Sequence, residues 1–170
     1  MIDDEKQLSF FLNDFASISD KKILIHGGGK IATEMSKQLG IESKMVDGRR
    51  ITDVETLKVV QMVYGGLINK NIVAQLQSKN CNAIGLTGAD ANIVLAKKRA
   101  VQSLSPGGEG LEERWGEVDF GFVGDIEKIN SEKLSALLNF GFSPVIAPLT
   151  HDGKGQILNT NADTMASAIG

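Results

Sequence analysis

ILIHGGGKIA, residues 23–32, decides how the chain is to be read. KILIH, residues 22–26, is a short apolar run with β-branched residues and reads as a buried strand. From Ile31 to Leu39 the apolar spacing turns helical and ends at Gly40, a candidate C-cap. Gly27, Gly28 and Gly29 lie between the two. A strand, a glycine turn and a helix expose several backbone N–H groups at a helix N-terminus, which is a ready anion site. The plainer reading is that the glycines only make a tight turn. The spacing excludes a P-loop, because G-x-x-x-x-G-K-[ST] does not occur here. It does satisfy the looser G-x-G-x-x-A form of a dinucleotide fingerprint, with Asp47 downstream as the acidic partner, although that signal alone is weak.

Outward from this unit, strands and helices alternate. Residues 4–18 place Leu8, Phe11, Leu12, Phe15 and Ile18 at helical spacing, an amphipathic helix with one buried stripe. Thr52 or Asp53 is placed to cap a long helix running to about Lys79, which Gly65-Gly66 should bend or loosen. AIGLTG (83–88), NIVLAKKRAVQ (92–102), GFVGDIEKI (121–129) and SPVIAPL (143–149) read as strands, and Ser131 as the cap of a helix to Leu138. Residues 103–117, which carry Pro106, several glycines and a cluster of charge, read as an exposed loop or hairpin tip. Alternation of this kind implies an α/β fold with a mostly parallel sheet covered on both faces. Ligands of such sheets sit beyond the carboxyl ends of the strands. The polar clusters HGGGK, TGAD and THDGKGQILNTNAD all follow strands.

Bulk properties exclude several classes. The 170 residues, 42% of them hydrophobic, can bury one sizeable core, so a single domain is expected. A net charge of −3 without a basic stripe argues against nucleic acid as a partner. Cys81 is the one cysteine, which excludes an internal disulfide and suits a reducing compartment. No apolar run approaches the length of a membrane span, and the acidic start MIDDEKQ has no signal-peptide character. The expectation is a soluble cytoplasmic protein with no membrane partner.

Two further clusters carry chemistry. In DGRRIT (47–52), adjacent Arg49 and Arg50 before a helix cap could clamp a carboxylate bidentately, or form an exposed charged turn. In LNTNAD (158–163), Asn159 and Asn161 fall on one side of an extended segment and could present amides to a polar ligand. Asp163 behind them could orient a lysine or bind a metal, and the plainer alternative is an Asx-rich helix cap.

Taken in order, KILIHGGGK, GRRIT, GLTGAD, GFVGDI and LNTNAD resemble the acetylglutamate kinases of the amino acid kinase superfamily, from about Lys21 to Gly170. The resemblance implies a three-layer α/β/α sandwich of the carbamate kinase type. It also implies phosphoryl transfer from ATP, with Mg2+, to the side-chain carboxylate of an N-acylated glutamate. By the same resemblance, Gly28 and Gly29, with Gly27, hold the transferring phosphoryl group, and Arg50 pairs with the substrate α-carboxylate. Asn159 and Asn161 hold the acylamino group, Asp163 orients the catalytic lysines, and no residue is a metal ligand. Family members dimerise through the long helix, so a homodimer contact is expected near Met62 to Ile68.

The resemblance also has departures. The family's opening Lys-Gly-Gly strand and its nucleotide-binding half, which supply both catalytic lysines, have no counterpart in residues 1–170. The expectation is therefore an amino acid kinase domain incomplete at both ends, inactive alone. Three alternatives stay open: an N-succinyl-glutamate kinase using Arg49 for the longer acyl group, a dinucleotide-binding oxidoreductase, and a non-catalytic amino-acid-binding module.

Overall fold

The computed structural model describes residues 2, 4–42, 44–46, 49–104 and 116–170. Asp47 and most of the segment 103–117 lie outside them.

Helix α1 (Glu5–Ser17) starts at Asp4, whose carboxylate accepts from the backbone N–H of Lys6 and Gln7. It buries Leu8, Leu12 and Phe15 as the periodicity predicts, while Ile18 stays outside the stripe and exposed. Strand β1 (Leu24–Ile25) leads through the glycine turn into α2 (Gly29–Gln38). That helix begins two residues earlier than the apolar pattern suggests, because Gly28 serves as its N-cap and supplies the carbonyl for Ala32 N–H. A small antiparallel pair, β2 (Met45–Val46) and β3 (Arg49–Arg50), carries the arginines.

Asp53 rather than Thr52 caps the long helix, accepting from Thr56 N–H at 2.8 Å, while Thr52 is fully buried. The helix has three parts: α3 (Val54–Val60), a π-helical stretch (Gln61–Ile68) and α4 (Asn69–Gln77). The loosening expected at Gly65-Gly66 thus takes the form of π winding, with i→i+5 hydrogen bonding, common at functional sites. Val63 and Ile68 are buried against the core, so within the stretch from Met62 to Ile68 they belong to the part of the helix that covers the sheet. The exposed apolar residues of the long helix are Val54, Met62 and Leu67.

Beyond it come β4 (Ala83–Thr87), a short 3-10 turn (Asp90–Asn92), β5 (Val94–Lys98), β6 (Gln102–Leu104) and β7 (Gly116–Val118). β6 and β7 pair antiparallel, the arms of a hairpin flanking the undescribed segment. β8 (Gly124–Ile129) leads to α5 (Ser131–Asn139), whose cap is Asn130, one residue before the expected serine, accepting from Lys133 N–H. The run SPVIAPL divides at Pro148 into β9 (Ser143–Ala147) and β10 (Leu149–His151). β11 (Ile157–Asn159) and α6 (Ala162–Ile169) complete the described elements.

β1, β9 and β4 form a parallel sheet in that order, with Leu24 opposite Val145 and Gly85 opposite the same residue on the other side. β11, β10, β5 and β8 form a second, mainly antiparallel sheet in which only β10 and β5 run parallel. Alternation along β9 builds two cores. Val145 and Ala147 face Leu12, Val60, Ile72 and Leu76 of the helices on one side. Ile146 faces Ile93, Leu134 and Met165 on the other. The result is the expected three layers, with α1 to α4 on one face and α5 and α6 on the other. Each fully buried aliphatic side chain contributes about 1.5–3 kcal/mol of transfer free energy. Among the described residues no helix is long and apolar enough to cross a membrane.

Candidate functional site

Beyond the carboxyl end of β1 the chain must turn sharply into α2, and Gly28 makes that turn at φ 149°. A Cβ on Gly28 would overlap Ile68 Cδ1 and stand 3.2 Å from the Tyr64 ring, so the fold itself requires glycine there. Gly27 and Gly29 differ. A Cβ on Gly27 would lie 3.9 Å from Ala162 Cβ, and one on Gly29 would lie 3.8 Å from Tyr64 Oη, both ordinary contacts.

The glycine turn separates two cavities. The larger, of about 390 Å3, is lined by Gly27, Gly28, Gly29, Arg49, Arg50, Tyr64, Arg99, Asn159, Thr160 and Asn161, with Met45, Val123 and Pro148 as apolar wall. The smaller, of about 320 Å3, lies between the turn and α1 and is mostly apolar, with His26 and Lys30 at its border.

Several polar groups of the larger cavity are held from behind. Arg50 Nη2 donates to the Gly29 carbonyl at 2.9 Å and to Thr33 Oγ1 at 2.7 Å, which ties β3 to the first turn of α2. Tyr64 hydrogen-bonds Arg50; burial raises its phenol pKa, and the neighbouring guanidinium opposes that shift. Arg99 is gripped by Asp125 through Nε at 3.0 Å and Nη2 at 2.6 Å, and lies 5.6 Å from the centre of the Phe120 ring. Asn159 Nδ2 donates to the buried Thr52 Oγ1 at 3.0 Å. Asn161 caps α6, its Oδ1 accepting from Thr164 N–H at 2.8 Å and Thr164 Oγ1 at 3.1 Å, so the helix-cap alternative holds for this residue while it still borders the cavity. The described lining holds three guanidiniums and no carboxylate, and it adds the N-terminus of α2, so it favours an anion.

Five of the expected site residues besides the turn's Gly27 therefore share one cavity: Gly28, Gly29, Arg50, Asn159 and Asn161. Asp163 does not border it; the residue is exposed in the first turn of α6. The TGAD cluster lies elsewhere too, since Asp90 folds back onto Thr87 N–H at 2.6 Å and Thr87 Oγ1 at 2.9 Å and closes its own turn. Sequence reasoning missed Arg99 and Tyr64. Arg99 ends a run of charge that reads as an outer strand face, and Tyr64 sits in an apolar helix where an aromatic reads as core. Among the described residues no group of three or more His, Cys, Asp or Glu could hold a metal ion.

The sequence profile of the amino acid kinase family matches residues 1–170. The chain is similar to the acetylglutamate kinase of Cytophaga hutchinsonii, 60% identical over 169 residues, covering 99% of this chain and 59% of that protein. It is also similar to the acetylglutamate kinase of Phocaeicola vulgatus, 58% identical over 166 residues, covering 98% of this chain and 59% of the relative. The chain thus spans 59% of the length of these curated relatives. In fold it is similar to the crystal structure of N-acetylglutamate synthase from Neisseria gonorrhoeae complexed with coenzyme A and N-acetyl-glutamate, at TM-score 0.74 and 19% identity, covering 98% of this chain and 35% of that one.

Proposed function

The chain belongs to the amino acid kinase family, and on that premise we propose that the protein transfers the terminal phosphoryl group of ATP to the side-chain carboxylate of N-acetyl-L-glutamate, a step of arginine biosynthesis. The observation that carries this reading is the joint lining of one cavity by the glycine turn, Arg49, Arg50, Asn159 and Asn161. The names of the relatives support the same substrate.

The chemistry asks little of acid–base groups. A glutamate side chain is already ionised at neutral pH, with an ordinary pKa of about 4.3, so its oxygen attacks phosphorus without a general base. As the new O–P bond forms, the bond to the ADP oxygen breaks and negative charge gathers on the equatorial phosphoryl oxygens. Two anions must meet, and positioning with preorganised donors is what lowers that barrier. In this proposal the N–H groups of Gly28 and Gly29 face the phosphoryl oxygens. Gly27 and Gly29 keep the approach clear, which accounts for glycine where the fold alone would accept alanine. Arg50 takes the α-carboxylate, and Asn159 and Asn161 take the acylamino group. Asp163 is assigned to orient lysines of the full-length protein. Mg2+ enters with ATP as part of the co-substrate.

A second reading concerns the acyl group. Arg99, its charge shared with Asp125, brings a third guanidinium to the cavity beside Arg49 and Arg50. A succinyl group would end in a carboxylate suited to it. Comparing kcat/KM for N-acetyl- and N-succinyl-glutamate in the full-length protein separates the two. Calorimetric titration tests the broader claim: saturable binding of an N-acyl-glutamate, with none of free glutamate or NAD, supports it. Binding of NAD alone would instead favour the dinucleotide reading.

The assembly is part of the same proposal. Met62, Gly66 and Leu67 form an exposed, largely apolar strip on the long helix, and we place a twofold contact with a second copy there.

A further inference from the structure

His26 directly follows β1 at the threshold of the glycine turn and is 3% exposed, yet it borders the smaller cavity and not the larger. Its Nδ1 lies 2.9 Å from the Gly27 carbonyl oxygen. A carbonyl only accepts, so Nδ1 carries the proton and Nε2 is left as an acceptor. Asn69 Nδ2 stands 3.1 Å from Nε2 and supplies the donor. The second hydrogen of the Asn69 amide goes to the Val145 carbonyl at 2.9 Å, with the Leu86 carbonyl farther off at 3.4 Å, and Asn69 Oδ1 accepts from Lys70 Nζ at 3.2 Å. Reversing the Asn69 amide would set its oxygen against the Val145 and Leu86 carbonyls, which fixes the nitrogen on the side of His26 Nε2. Asn69 is 1% exposed and rests where Gly85 has no side chain; a Cβ there would overlap Asn69 Oδ1.

This chain of contacts bears on the direction of the turn. No peptide bond in the described chain is cis, so the Gly28 N–H points opposite to the Gly27 carbonyl. Holding that carbonyl against a ring on the smaller cavity's side directs the Gly28 N–H to the larger cavity's side. The π winding contributes as well. With i→i+5 spacing, Tyr64 and Asn69 lie one turn apart, and Tyr64 and Ile68 pack on Gly28 while Asn69 reaches His26.

We infer that His26 and Asn69 are a positioning pair, which fixes the Gly27–Gly28 peptide so that the Gly28 amide faces the anion cavity, with the imidazole neutral and protonated at Nδ1. The inference rests on the proposed phosphoryl-transfer role of that cavity, although its geometric half does not.

Two measurements test it. Nitrogen-15 spectra of the wild-type imidazole report the tautomer directly. A neutral ring with the proton on Nδ1 at pH 7 is the expected result; a proton on Nε2, or a charged ring, overturns the pair whatever the protein catalyses. In the full-length enzyme, His26→Asn keeps a donor near the Nδ1 position and loses the Nε2 acceptor, whereas His26→Leu loses both. Positioning predicts kcat lowered roughly tenfold in the first variant and a hundredfold or more in the second, measured well below their melting temperatures, with KM for the acyl-glutamate within about threefold of wild type. Variants that melt earlier yet keep wild-type kcat would show a merely structural histidine and overturn the inference. Wild-type protein that transfers no phosphoryl group while showing the expected tautomer would reject the function and leave the geometric pair standing.

Discussion

Arg50 Nη2 lies 2.9 Å from the Gly29 carbonyl oxygen, so the arginine proposed to hold the substrate is also bonded to the turn proposed to hold the phosphoryl group. Substrate placement and donor placement therefore share a side chain. Arg50→Lys should raise KM for the acyl-glutamate by tenfold or more, as expected for losing charged hydrogen bonds of about 1.5–3 kcal/mol, and leave KM for ATP nearly unchanged. Steady-state kinetics against each substrate check this; an unaltered acyl-glutamate KM would contradict the assignment.

Gly28 and Gly29 should respond differently to alanine. Gly28→Ala meets both a positive φ and the Ile68 side chain, and should lower the melting temperature by roughly 5–10 °C. Gly29→Ala has room within the fold and should melt like wild type. Its methyl group nevertheless enters the phosphoryl site, so kcat should fall roughly a hundredfold. Calorimetry and turnover on the same two variants decide this.

The sequence made the layers and the glycine turn legible because their signals are local. The alternation of β9, the stripe of α1 and the glycines of the turn each act within a few residues. The candidate site was legible where its residues form motifs, as with Arg50, Asn159 and Asn161. Arg99 was not, because it reaches the cavity through the grip of Asp125, 26 residues away, which no spacing announces. Asn69 and His26 escaped for the same reason: a buried amide and a buried imidazole become partners only when β1, β4, β9 and the long helix have assembled. The π winding around Gly65-Gly66 showed only as two poor helix formers.

Burial lowers the His26 pKa below its ordinary 6.5, and the bond to the Gly27 carbonyl only partly offsets this. The sign follows from linkage. The unfolded chain takes up a proton below pH 6.5 while the folded chain resists it, so His26's contribution is complete above 6.5 and is lost as pH falls towards the lowered value. Lys30 borders the same cavity and the Lys70 ammonium is held on Asn69 Oδ1, so both disfavour a further charge. Denaturant midpoints between pH 7 and 5 should fall more for wild type than for His26→Asn. Parallel curves would contradict this.

Met62 is 57% exposed and Val63 1%, which fixes where an interface test belongs. Substituting Val63 would damage the core. Met62→Glu should leave the fold intact and convert a dimer to monomer in sedimentation velocity. A monomeric wild type, or a variant as dimeric as wild type, would reject the contact.

The central claim, that the glycine turn and the arginine-lined cavity bring ATP's terminal phosphoryl group to an acyl-glutamate carboxylate, is tested most directly by trapping the product. An acyl phosphate reacts with hydroxylamine to give a hydroxamate. The account predicts that full-length wild-type protein with ATP, Mg2+ and an N-acyl-glutamate accumulates hydroxamate in step with ADP, and that Gly29→Ala does so roughly a hundredfold more slowly. ADP release without hydroxamate, or hydroxamate formed equally well by Gly29→Ala, would contradict it.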